Sequence, residues 1–223
     1  ALADHPWLAG YALFGNVLLP GSAFLELALA AAHRVGLDRV EDLTVETPLA
    51  LPAHGAVLLQ VSVAPPDETG RRRLALHARP EDALSWTCHA TGLLGPAAPS
   101  APFDLRTWPP EGASPLPLDG LYDRLAHLGL SCAPELQALT TVWKLGDDLF
   151  AEVRLPASST AGFGLHPALL EAAFHALALN DADQIVLPSS WSGASLRAAG
   201  ASSLRVRLSL PAGGPPSLRI ADS

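Results

Sequence analysis

Two side chains in this sequence stand at a spacing that can do acid–base work. Glu171 and His175 are four residues apart in the apolar stretch ALLEAAFHALAL, so on a helix they share a face. A carboxyl group and an imidazole, the latter with a free pKa of about 6.5, can together take up and release protons near neutral pH. The same pair could begin a metal site, but no third ligand accompanies it, and no metal is expected. His175 also has a plainer reading, an interior histidine bonded to a backbone carbonyl. The two cysteines, Cys88 and Cys132, are too few for a disulfide framework and lack zinc-ligand spacing. A reactive Cys132 would need a base or a cation beside it, and none is legible, so its bland reading is a small buried filler.

Glu171 and His175 must be positioned by a helix that other structure surrounds. ALLEAAFHALAL is apolar almost all round, and Gly162–Gly164 and His166-Pro167 open it. An earlier stretch, SAFLELALAAAHRVGL, is of the same kind, rich in Ala, Leu and Glu. Ser22 can cap its start and Gly36 can end it. After it come strand patterns: VEDLTVETPLAL, AVLLQVSVAP, RRLALHARP and SWTCHATGLL. Leu74, Leu76 and Ala78 alternate with Arg73, Ala75 and His77. The segment Gly95–Leu118, crowded with Pro, Ser, Ala and Gly, reads as an extended linker. Beyond it a short helix, DGLYDRLAHLGL, leads to strands around Ala138–Leu145 and Leu149–Leu155, and IVLPSSW and SLRVRLSL close the chain. The expected organisation is a first half over residues 1–97, a Pro-rich linker over 98–117 and a second half over 118–223. Each half carries one long apolar helix among antiparallel strands, an α+β layout given twice.

Composition excludes several function classes. Of 223 residues, 49% are hydrophobic and 16% charged, with a net charge of −8. The basic residues are scattered, and the cluster Arg71-Arg72-Arg73 follows the turn Pro65–Gly70, so it reads as a solvated turn rather than a nucleic-acid surface. No window approaches the roughly 18 apolar residues of a membrane span, and no signal peptide is visible at ALADHPWLAGY. A reducing, intracellular setting is expected. The lack of methionine suggests a piece of something longer.

Four ordered stretches carry a family resemblance. They are Trp7-Leu8-Ala9 with Phe14–Phe24; Tyr122 through Pro134; Gly164-Leu165-His166-Pro167-Ala168-Leu169-Leu170; and Leu187–Gly193 followed by Leu196–Ala201. Together they resemble the dehydratase domains of modular polyketide synthases. The resemblance covers essentially the whole chain. It implies a double hotdog fold, two antiparallel sheets each wrapped around a central helix. It also implies loss of water from a 3-hydroxyacyl thioester carried on the phosphopantetheine arm of an acyl carrier protein, with no other cofactor. Neighbouring synthase domains, a homodimer within the synthase, and a bacterial cytoplasmic location are implied too; nucleic acid and membrane are not. The sequence starts almost on the first signature and stops at Ser223, where the family would have an earlier strand pair and closing strands, so a trimmed or incompletely covered domain is expected.

The same resemblance exposes three departures. The family's general base is a His followed by three residues, Gly, four residues and Pro. Counting back from Pro20 through Gly15, that place is held by Tyr11, and His5 is out of register for it. A phenol has a free pKa of about 10 and is almost wholly protonated at neutral pH. The family's acid is an Asp; here it is Glu171, longer by one methylene, and a misplacement of about an ångström can cost about a hundredfold. His175 stands where the family orients its acid by a hydrogen bond. Cys132 stands at the Tyr of a Tyr-Gly-Pro loop, of which Pro134 alone remains. The resemblance further implies substrate-binding positions at Gly15, Pro20, Cys132, Pro134, His166 and Pro167. We therefore expect a dehydratase-type domain whose dehydration is lost or impaired. A double-bond-shifting enoyl isomerase, or a dehydratase with redistributed roles, are the alternatives.

Overall fold

At Pro20 the chain turns from extended to helical in the computed structural model, which describes residues 2, 4–98, 105–179, 185–211 and 216–222. Ahead of that step a 3-10 turn, Pro6–Gly10, feeds a hairpin of two short strands, β1 (Tyr11–Leu13) and β2 (Asn16–Val17). Phe14 (φ 48°) and Gly15 (φ 76°) both take left-handed backbone between them, as a two-residue primed turn requires. Helix α1 follows, Gly21–Arg34, with Phe24, Leu25, Ala28 and Ala32 buried. Its start corrects one expectation. Pro20, with ψ 154°, is the residue before the helix, no side chain caps it, and Ser22 is buried inside the first turn. Its end is as expected. Gly36 is left-handed (φ 73°), its N–H bonds to the His33 carbonyl, and the Leu37 N–H bonds to that of Ala32, the paired pattern of a glycine-terminated helix.

Four strands come next: β3 (Arg39–Val45), β4 (Val57–Val63), β5 (Arg72–Pro80) and β6 (Thr87–Gly95). On β5, Leu74, Leu76 and Ala78 are buried and Arg73 is exposed, so the alternation read from the sequence sets which face meets the core. The chain continues through β7 (Ser114–Leu116), α2 (Leu121–His127), β8 (Leu130–Cys132), β9 (Leu139–Leu145) and β10 (Asp148–Arg154). After these come α3 (Ala157–Thr160), α4 (Pro167–His175), β11 (Ser190–Ala194), β12 (Ser203–Ser209) and β13 (Ser217–Asp222). Helix α4 is shorter than the periodic stretch suggested, because Ala176–Leu179 tightens into a 3-10 turn.

The chain divides into two units. Ala1–Pro99 with Leu187–Ala199 form one, and Ser100–Val186 with Gly200–Ser223 the other. In the first, α1 packs on an antiparallel sheet of order β11-β3-β6-β5-β4. In the second, α4 packs on an antiparallel sheet of order β13-β12-β10-β9-β7. One strand departs from the expected halves. β11, read within the 118–223 half, pairs with β3 in the first sheet, Trp191 opposite Leu43. Alternation marks a strand but carries no record of its partner. Residues 99–104 of the expected 98–117 linker lie outside the described residues. The rest of it is anchored: Leu105 is buried, β7 pairs with β9, and Trp108 sets its ring edge-on against Trp143 and Phe150, with centroids 5.9 and 5.8 Å apart. The Arg205 guanidinium lies 5.6 Å above Trp108, and its Nη1 donates to the Leu105 carbonyl.

Candidate active site

The first unit holds Tyr11, the residue that the family pattern aligns with its base. Tyr11 follows the 3-10 turn, sends its backbone N–H to the Leu8 carbonyl and is 5% exposed at the head of β1. His5, before the turn, is exposed. Beyond the hairpin, the Leu19 N–H bonds to the Leu49 carbonyl and the Leu51 N–H to that of Val17, which fixes the path into buried Pro20 and α1. Gly15 sits at the exposed hairpin tip next to Phe14, whose ring is 74% exposed. The stretch after the second helix reaches this unit as well: the Val45 N–H bonds to the Ser189 carbonyl, and Pro188 packs so closely on Gly21 that any Cβ there would run into its carbonyl oxygen.

The second unit holds Glu171, the residue that the family pattern aligns with its acid. Glu171 is 3% exposed on α4, a helix buried from Pro167 through Ala173. His166 stands at its N-cap and accepts the Ala168 N–H through Nδ1 at 3.2 Å. Its ring also meets Phe163 at 4.5 Å, and burial pulls its pKa down to about 4. Pro167 occupies the first helical position, where a missing N–H costs nothing. The Gly164 carbonyl takes the Gly200 N–H within the same unit.

His175 lies one turn after Glu171, 5% exposed, and neither ring nitrogen has a hydrogen-bond partner among the described residues. Burial pulls its pKa down to about 4, so the ring is neutral at physiological pH. Both readings made from the sequence, a hydrogen bond to the acid or one to a backbone carbonyl, therefore differ from what is found. The i, i+4 spacing fixes the helix face but not where the ring points. The ring instead meets Tyr122 of α2 edge-on, with centroids 5.7 Å apart and planes at 88°. Tyr122 accepts the Leu139 N–H at 3.4 Å, and burial raises its pKa.

Cys132 ends β8, its carbonyl held by Gln137 Nε2 at 3.1 Å, and Pro134 opens a 3-10 turn that buries Leu136. Burial pushes the Cys132 thiol up to about 12, and the charges of Glu171 and Glu135 add to the effect. Such a thiol is not a nucleophile at neutral pH. The second unit thus gathers Cys132, Tyr122, Glu171 and His175, of which Tyr122 enters the sequence reading only as the first residue of one resembling stretch. Its signal was faint, one aromatic on a short helix. Among the described residues, no three His, Cys, Asp or Glu side chains converge as metal ligands, and no helix is long and apolar enough to cross a membrane.

Comparison with known proteins defines the class. The family model described as polyketide synthase dehydratase domain matches residues 1–79, and that described as polyketide synthase dehydratase N-terminal domain matches residues 100–215. The dehydratase domain from the terminal module of the rifamycin polyketide synthase is 40% identical with a TM-score of 0.92, over 100% of this chain and 83% of that one. A dehydratase structure for the borrelidin and fluvirucin polyketide synthases gives 39% and 0.95, over 100% and 81%. Polyketide synthase GfsA of Streptomyces halstedii is 48% identical over 221 residues, 94% of this chain and 3% of that protein. The pikromycin polyketide synthase component PikAII of Streptomyces venezuelae is 48% identical over 228 residues, 96% of this chain and 6% of that protein. The chain spans only these small shares of both relatives. The two sheet-and-helix units are a double hotdog. The chain belongs to the polyketide synthase dehydratase domains.

Proposed function

We propose that this domain belongs to a modular synthase that carries a 3-hydroxyacyl or enoyl thioester on the phosphopantetheine arm of an acyl carrier protein, and that its own dehydration is lost or strongly impaired. The synthase acts as a homodimer with neighbouring catalytic domains, and the domain's remaining task is to space and pair them. The observation that carries this reading is the buried Tyr11 at the base position. Dehydration removes the proton alpha to the thioester and expels hydroxide, which leaves only if protonated to water. A free phenol, with a pKa of about 10, holds its proton at neutral pH, and losing a general base costs roughly 10²–10⁴ in rate. Glu171 keeps a carboxyl group for the leaving hydroxide, on an arm one methylene longer than the family's Asp.

The test is incubation with a 3-hydroxyacyl carrier protein and, separately, its 2-enoyl counterpart in deuterated water, followed by mass spectrometry of the carrier-bound acyl group. No change in either substrate, with Tyr11→His gaining dehydration, is the expected result. Loss of water from the first substrate or hydration of the second would refute the reading. Deuterium entering the enoyl chain without a change in water would mean a double-bond-shifting isomerase instead.

A further inference from the structure

A carboxyl group and an imidazole one helical turn apart, both buried, ordinarily meet. On α4 the Cβ atoms of Glu171 and His175 are neighbours at about 5–6 Å by helical geometry. Each side chain is more than nine-tenths buried, so little solvent competes for either. Yet Nδ1 and Nε2 of His175 both lack a hydrogen-bond partner among the described residues. What the imidazole touches is the ring of Tyr122, edge-on at 5.7 Å. Tyr122 is in turn tied to β9 through the Leu139 N–H. We infer that His175 does not orient Glu171 in this chain, and that it is held against Tyr122 as a packing ring, leaving the acid uncoupled from the imidazole on its own helix.

Cys132 also feels Glu171, and burial lowers the pKa of His175. The groups near this ring are therefore Tyr122 from α2 and Glu171 from α4 itself, with Cys132 from β8 close to both of those. The inference rests on the proposed loss of dehydration, of which it is a second cause: restoring an imidazole at position 11 would bring back a base but not the family's contact between the acid and the imidazole one turn on. Tyr11→His is then expected to recover only part of the activity of a family enzyme.

The test reads His175 directly. The imidazole resonances of the histidine-labelled protein are followed by NMR against pH, with the His175 signal assigned by its loss in His175→Gln. Glu171→Gln is expected to leave the titration midpoint and ring resonances of His175 in place, and Tyr122→Leu to move those resonances. Movement of the His175 ring resonances on Glu171→Gln as large as that on Tyr122→Leu would overturn the inference. If Glu171→Gln does not fold, Glu171→Asp serves: an uncoupled ring is indifferent to the shorter arm, and a coupled one shifts. Neither outcome depends on turnover. A domain found to dehydrate its substrate would sink the functional reading while this titration kept its meaning.

Discussion

The imidazole of His166 takes the backbone N–H of Ala168 at 3.2 Å and so closes the first turn of α4, five residues ahead of Glu171. To accept through Nδ1 the ring must be neutral, with its proton on Nε2. Burial favours that form, as it does for His175 near the other end of the helix. Both folded-state values are lowered from 6.5 to about 4, so between those limits the unfolded chain binds more protons than the folded one. The stability these groups contribute is complete above about 6.5 and is lost as pH falls through that window. Urea unfolding at about pH 7.5 and about pH 4.5 should show the loss. A His166→Asn, His175→Gln variant, which keeps a capping acceptor but no titrating ring, should flatten it. His166→Ala should cost about 1 kcal/mol at neutral pH. An unchanged acid slope in the double variant would contradict this account.

Gly21 and Gly15 should respond to alanine for different reasons. At Gly21 the new methyl group meets the Pro188 carbonyl, a backbone atom that cannot swing aside. Gly21→Ala should cost about 1–3 kcal/mol by overpacking. Gly15 has open space but a φ of 76°, so Gly15→Ala should cost about 1–2 kcal/mol through backbone strain alone. Restoring room by shortening Pro188 to Gly should not help the first variant, since the clash is with the carbonyl. Thermal unfolding of the two variants reads both costs; a neutral Gly21→Ala would be the telling failure.

Trp108 fastens the described part of the linker to the second sheet. Replacing it by Ala removes two aromatic edge contacts and the plate beneath Arg205. The ring is half-buried, so the cost should lie near the low end for aromatic truncation, about 3 kcal/mol. Limited proteolysis should then cut around residues 105–113 faster than in the parent. Equal cleavage rates would mean that other contacts hold the segment.

Strand β4 ends the first sheet, and its sequence, VLLQVSV, has no charge and no proline. Its pairing with β5 runs without a bulge, and Leu58 and Leu59 are 39% and 38% exposed. Such an edge offers unpaired backbone groups to any other strand. The 223-residue chain alone should therefore self-associate as concentration rises, and Leu59→Lys should suppress this in sedimentation without loss of fold. Persistent association of the variant would point to another surface.

The helices and most strands were legible because each has its own periodicity and composition. α1 and α4 are apolar nearly all round, and β5 alternates. The β1–β2 hairpin was not legible, since its strands are three and two residues long and its turn uses Phe14, a residue type that rarely adopts positive φ. The capping role of His166 escaped notice because capping is expected of Ser, Thr, Asp and Asn. Tyr11, Glu171 and Cys132 are assigned by register against a family pattern. The orientation of His175 toward Tyr122 could not be, because sequence spacing fixes a helix face and leaves the rotamer open.

The return of β11 to the first sheet bears on synthesis. Ribosomes deliver about 5–20 residues per second. β6 ends at Gly95 and β11 at Ala194, so β3 waits roughly 5–20 s for its neighbour at those rates. During that interval the nascent first sheet is open along β3 as well as β4, and the carbonyl of Pro188 has not yet arrived at Gly21. The amino-terminal unit is thus completed only by residues translated after α4, and a stalled or truncated translation product ending before Leu187 would present chaperones with the seven-residue β3 as an edge in place of the five-residue β11.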